Sequence, residues 1–166
     1  MDSRSPAATP PAVEVATPPS PCVYFKDLAP FLPDSLDGYT HATTEGSTGK
    51  YGEVSVSEAE RTFTRGEDRE VKVRIVDTTL GGKIAKAIKA AAEDGKQKAA
   101  SDPTAPIFWE AAVGFVRYDA AEVTAEANLL VGDRYVVAVT SRGFPNTVEV
   151  RRVARGLDLA RLAQLR

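Results

Sequence analysis

Two apolar runs, Val123 to Val131 and Tyr135 to Val139, flank Gly132-Asp133-Arg134, and this spacing constrains the chain more than any other feature. Side chains alternate faces along a strand, so the length of the turn decides which residues share a face. A two-residue turn at Gly132-Asp133 would set Val131 against Arg134. It would leave Tyr135, Val137 and Val139 beside Leu130, Asn128 and Glu126. An odd loop, Gly132 to Arg134, instead sets Val131 opposite Tyr135, Leu129 opposite Val137 and Ala127 opposite Val139. That register gathers one apolar face and leaves Glu126 and Asn128 on the other. The sequence therefore predicts an antiparallel hairpin with a three-residue or bulged turn.

The rest of the chain reads as neighbouring elements of the same fold. Val23, Tyr24, Phe25, Leu28, Phe31 and Leu32 are densely apolar, with a helical turn at Asp27 to Phe31 stopped by Pro30 and Pro33. A first strand is expected from Tyr39 to Glu45, followed by a glycine-rich loop from Gly46 to Gly52. Val54 to Thr64 and Glu70 to Asp77 form a hairpin around Arg65-Gly66-Glu67-Asp68. The earlier strand changes phase between Val54/Val56 and Ala59/Arg61/Phe63, so a bulge is expected near Ser57-Glu58. Thr78 to Glu93 is the strongest helix, with Ile84, Ala87, Ile88 and Ala91 on one face and Lys83, Lys86 and Lys89 elsewhere. That stripe is expected to be satisfied by the chain's own sheet. Lys96 to Pro106 reads as a polar loop, and Ile107 to Asp119 as a strand whose Trp109 belongs to the core. Thr147 is expected to cap a final helix carrying Val150, Val153, Ala154 and Leu157, broken at Gly156, with Asp158 capping a last turn.

The order β-β-β-α-β-β-β-α lacks the alternation that parallel sheets need. It predicts an α+β fold: a mainly antiparallel, twisted sheet with two helices packed on one face. Residues 1–22 differ in composition. Six of the eleven prolines fall there, with few charges and no aromatic ring. This segment is expected to be a disordered, proline-rich tether, and residues 23–166 a single domain.

Composition narrows the function classes. A net charge of −2 gives no general attraction to nucleic acid or an anionic membrane, and no partner of either kind is expected. No run approaches the roughly 20 apolar residues of a membrane span, and no signal peptide is visible. The chain as written is expected to be cytoplasmic, or periplasmic or envelope-tethered if a signal peptide has been removed. One cysteine, Cys22, excludes an intrachain disulfide.

The search for chemistry yields no catalytic set, metal site or cofactor. Gly46-Ser47-Thr48-Gly49-Lys50 lacks the four-residue spacing of a phosphate-binding loop. His41, the one histidine, shares a strand face with Glu45, and two ligands do not make a metal site. The acids fall mostly in turns. Two surfaces stand out: Arg117 with Tyr118, as a pocket mouth, and the basic final helix with Arg151, Arg152 and Arg155.

Several short motifs carry a resemblance: Leu32-Pro33 before Gly38-Tyr39, Ala59 to Arg61, Val73 to Asp77, Gly114 to Tyr118, and Leu130 to Tyr135 ahead of Leu157-Asp158-Leu159. With these the chain resembles a loose group of bacterial proteins of unknown function, many exported or lipoprotein-like. The resemblance adds slightly to the expectation of an envelope location and implies no activity. The expected function is a non-enzymatic protein-binding or interaction module on a flexible N-terminal tether. The alternative is a small-ligand carrier with a cavity between sheet and helix, and behind it a hydrolase.

Overall fold

The computed structural model describes residues 22–95 and 104–165. The reading of residues 1–21 as a tether lies outside the described residues. Among those described, seven strands form one antiparallel sheet in the order β1-β2-β3-β7-β6-β5-β4. β1 (Thr40–Tyr51), β2 (Val54–Arg65) and β3 (Arg69–Thr78) make one meander. β4 (Thr104–Phe108), β5 (Ala112–Asp119), β6 (Thr124–Val131) and β7 (Tyr135–Arg142) make the other, and the two join where β3 pairs with β7. α1 (Phe25–Leu28) and a 3-10 turn (Ala29–Phe31) precede the sheet, α2 (Gly81–Gly95) connects the meanders, and α3 (Val148–Arg155) and α4 (Leu159–Ala163) follow. The α+β class and the antiparallel sheet are as the sequence implied.

The opening hairpin has the expected register. Val131 pairs with Tyr135, Leu129 with Val137 and Ala127 with Val139. Gly132 and Asp133 both take positive φ, and the Arg134 N–H closes the loop on the Val131 carbonyl at 3.1 Å. Glycine is required at 132 for a second reason. A Cβ there would lie 2.9 Å from the Ala163 backbone, so the turn seats α4.

The helices divide between the faces of the sheet, whereas the sequence reading had put two on one face. The odd-numbered residues of β3, β6 and β7, such as Val73, Leu129 and Val137, pack with Leu28, Val150, Val153, Ala154 and Leu162 in the main core. Ala85 and Ile88 of α2 pack with Leu130 on the opposite face, in a second, smaller core. Leu129 and Leu130 are both buried, so β6 is apolar on both faces at that point and needs a cover on each side.

Four strands follow α2, one more than expected. The polar loop expected from Lys96 to Pro106 ends in the first three residues of β4, and the single strand expected from Ile107 to Asp119 is divided between β4 and β5, which pair from Thr104↔Arg117 to Phe108↔Val113. In sequence, Pro106 signals a break. A proline is tolerated in a strand at the sheet edge, where its missing N–H is not needed, and β4 is an edge strand.

The first hairpin differs as well. β1 continues through the glycine-rich stretch and turns only at Tyr51 to Val54. Gly46 lies under the Phe25 ring, with no room for a Cβ, and the Thr48 hydroxyl accepts from the Phe25 N–H at 2.8 Å. No bulge occurs at Ser57-Glu58, where β2 pairs with both neighbours without a break. The register shift lies in β1, between His41 and Thr43. Ser55 and Ser57 continue the buried face of β2, and Val54 and Val56 take the other face half-buried. The apolar phase change is therefore a substitution of buried serines, each held by a partner: Ser55 through its backbone to Cys22 and Thr79, Ser57 through its hydroxyl to Thr48.

At the N-terminus of α3, the Val148 N–H donates to the Asn146 side chain, and Thr147 makes no side-chain cap. Asp158 caps α4 as expected, accepting from the Arg161 N–H.

Candidate functional site

α2 crosses only part of its face of the sheet. Cross-strand pairing orders what it leaves open. One row runs through Val76, Val136, Leu130 and Val113, and the next through Glu60, Arg74, Ala138, Asn128 and Phe115. A third holds Lys72, Thr140, Glu126 and Arg117. The first row is apolar, the second mixed and the third charged.

Between α2 and the first two rows lies an open groove of about 440 Å³. Lys83, Ile84, Ala87, Ile88 and Ala91 form its wall, and Phe115, Asn128 and Val136 its floor. The wall is the apolar stripe that the sequence predicted, but the sheet covers a stripe rotated by about one residue. Ala85, Ile88 and Ala92 are buried, whereas Ala87 is exposed and Ile84 and Ala91 only half-buried. The apolar arc of α2 is wider than its contact with the sheet. The surplus faces the groove, with Leu80, 41% exposed, just ahead of the helix.

The polar groups of the groove are few and differently engaged. The Asn128 Nδ2 donates to Glu126 at 2.6 Å, and Glu126 in turn accepts from Arg117 at 2.9 Å. These contacts fix the amide orientation, and the Asn128 amide oxygen has no protein partner among the described residues. Lys83 has no ion-pair partner among them either, whereas Lys89 is held by Asp133 at 2.9 Å. Farther from α2 the charges pair across strands, Arg74 with Glu58 and Lys72 with Glu60.

The residues singled out from the sequence are not brought together. Arg117 lies on the open face beside the groove, and Tyr118, one residue on, packs against the main core on the other side. Arg151, Arg152 and Arg155 share α3, on Tyr118's side of the sheet. Arg152 is bidentate to Glu149, and the Arg155 guanidinium lies 4.5 Å from the centre of the Trp109 ring. Phe115, Asn128, Val136 and the exposed side of α2 escaped the reading. The alternation of β5 carried the one available signal, since it sets Phe115 and Arg117 on one face and Tyr118 on the other.

Two further concavities stand out among the described residues. One of about 480 Å³ lies beside Trp109, Gly132, Asp133 and Ala163. The other, of about 260 Å³, is ringed by Glu45, Glu58 and Glu60. Among the described residues no three His, Cys, Asp or Glu side chains converge as metal ligands. His41 is exposed, and its Nε2 lies 2.7 Å from the Thr44 hydroxyl. Burial pushes the Cys22 thiol up to about 11, helped by the nearby Asp77 charge, so it is a poor nucleophile. No helix among the described residues is long and apolar enough to cross a membrane.

No family model, curated protein or solved structure matches this chain.

Proposed function

We propose that the chain is a non-enzymatic binding module, and that the groove between α2 and the sheet receives an extended apolar segment of a protein partner. The observation that carries this reading is the surplus apolar arc of α2. An isolated apolar residue on a surface is ordinary, but Ile84, Ala87 and Ala91 follow one another along α2 above a floor of Phe115, Val136 and Asn128. The trough is open along its length, which suits an extended chain laid beside a helix better than an enclosed molecule. Lys83 offers a charge to an acid in that segment, and the Asn128 oxygen an acceptor to a backbone N–H.

A second reading, a carrier of a small amphipathic ligand, is favoured by volume alone: about 440 Å³ falls within the range of roughly 300–1,000 Å³ seen for small-molecule sites. Both readings use the same wall. An anilinonaphthalene-sulfonate dye, apolar with one negative charge, serves as the probe. Ala87→Glu sets a charge on an exposed position of α2 and is expected to weaken dye binding at least tenfold. Ala160→Glu, beside the other large concavity, is expected to change it less than twofold. The reverse pattern would reject the groove as the binding surface. A stoichiometric small molecule retained by the purified protein in native mass spectrometry would favour the carrier over the peptide reading.

A further inference from the structure

We infer that the outer ridge of α2 is an interface with a second copy of this chain, the two α2 helices packing antiparallel. The inference goes beyond the groove reading and does not rest on it, because this ridge points away from the sheet. Lys83, Ala87, Ala90 and Asp94 are all exposed and are spaced four, three and four residues apart. At 3.6 residues per turn that spacing sets them in one line along the helix. Ala85, Ile88 and Ala92, the buried residues of α2, lie on its other side.

The ridge runs from a positive charge through two small residues to a negative charge, so it complements itself only when reversed. Turned about the midpoint of Ala87 and Ala90, it sets Ala87 against Ala90 of the second copy and Lys83 against Asp94 of the second copy. Each contact then occurs twice, as a two-fold axis requires. The flanks agree. On one, the exposed Lys86 comes within two residues, about 3 Å along the axis, of the exposed Glu93 of the second copy. On the other, the half-buried Ile84 comes equally close to Ala91 of the second copy. A parallel pair would instead set Lys83 against Lys83 and Asp94 against Asp94.

The order of charges within α2 points the same way. Lys83 lies in the first turn and Glu93 and Asp94 in the last, with no acid in the first turn and no base in the last. A helix's own dipole favours the reverse arrangement. An antiparallel neighbour brings the negative end of its dipole and its two acids to Lys83, and so offsets the mismatch. The alanines let the two backbones approach closely, and each sheet lies on the outer side of the helix pair. Exposed ion pairs contribute little singly, and 15 residues of helix give only about 22 Å of contact. The dimer is therefore weak and reversible, at the small end of specific interfaces.

The test is sedimentation equilibrium of the full chain over rising concentration, where a reversible monomer–dimer equilibrium is expected. Lys83→Asp and Asp94→Lys each set like charges face to face, and each is expected to weaken the dimer about tenfold or more. An equal mixture of the two variants restores both opposite-charge contacts and is expected to form a heterodimer at least as tight as the native dimer. The double variant Lys83→Asp/Asp94→Lys is expected to return to within about threefold of the native affinity. A chain that stays monomeric at every concentration overturns the inference. So does a dimer that neither reversal weakens, or one that the mixture and the double variant fail to restore. Asp94 does not line the groove, so dye binding by Asp94→Lys is judged apart, and the groove reading stands or falls on its own.

Discussion

Arg134 shows how one side chain fixes both a turn and a terminus. Its guanidinium makes two bonds to Asp77, at 3.1 and 2.8 Å, and Asp77 is only 2% exposed. Asp77 also accepts from the Val23 N–H, so the pair joins the β6–β7 turn, the end of β3 and the segment leading into α1. Removing one partner of a buried pair strands the other charge, which costs more than the pair itself contributes. Arg134→Ala is expected to destabilise the protein by about 3 kcal/mol in urea unfolding, near the low end of such losses because Arg134 is part-exposed. Asp77→Asn, which keeps an acceptor for Val23, is expected to cost less. Val123 makes the opposite case. It is β-branched yet sits at φ 52°, held by the Gly143 N–H donating to its carbonyl at 2.9 Å. The left-handed conformation costs such a residue about 1–2 kcal/mol, and glycine gives back about 0.5–1 in chain entropy. Val123→Gly is expected to stabilise the fold by about 0.5–1 kcal/mol, read as a higher urea midpoint at unchanged slope.

At the scale of elements, α3 is tied to the N-terminal loop by Tyr39. Its hydroxyl donates to Glu149 at 2.5 Å, and Glu149 accepts from Arg152 on its own helix. The Arg152 guanidinium, with Tyr39, holds the Glu149 carboxyl below the usual carboxylate range. Burial, with the nearby Glu149 charge, pushes Tyr39 up to about 12. The signs differ. A lowered acid contributes stability above its unfolded pKa of about 4.3 and loses it as pH falls through the folded value. A raised tyrosine contributes below its unfolded pKa of about 10, and that contribution is lost as pH rises toward 12. Tyr39→Phe is expected to lower Tm at neutral pH and to remove part of the alkaline fall in Tm. An unchanged alkaline limb would exclude this contact as its source.

Elements also show what was legible in the sequence. The β6–β7 register could be read because one choice of turn gathers all the apolar residues on one face. β4 was hidden because Pro106 reads as a breaker unless the strand is known to lie at an edge. The buried Ser55 and Ser57 looked like a break in pattern because the groups that satisfy them, Thr48, Cys22 and Thr79, are remote in sequence. The candidate site was half visible. Ile84, Ala87, Ile88 and Ala91 were recognised as a stripe, but which part of it the sheet covers depends on how α2 is rotated, and periodicity does not carry that angle.

For the whole molecule, the division of helices between faces explains why a surface is left over. Among the described residues, α1, α3 and α4 close one face around a single large core, whereas the other has only α2 and a small core. The uncovered rows grade from apolar beside the helix to charge-paired strands beyond it. On the proposed reading, a partner would be directed to the helix side, where desolvation is favourable and no ion pair must be broken. The most direct test is to follow amide shifts during a titration with the anilinonaphthalene-sulfonate probe, in the native chain and in Ala87→Glu. Saturable shifts at Ile84, Ala91, Phe115, Asn128 and Val136, abolished in the variant, are the result expected. Shifts gathered instead around Trp109 and Ala163, or unchanged by Ala87→Glu, would contradict it.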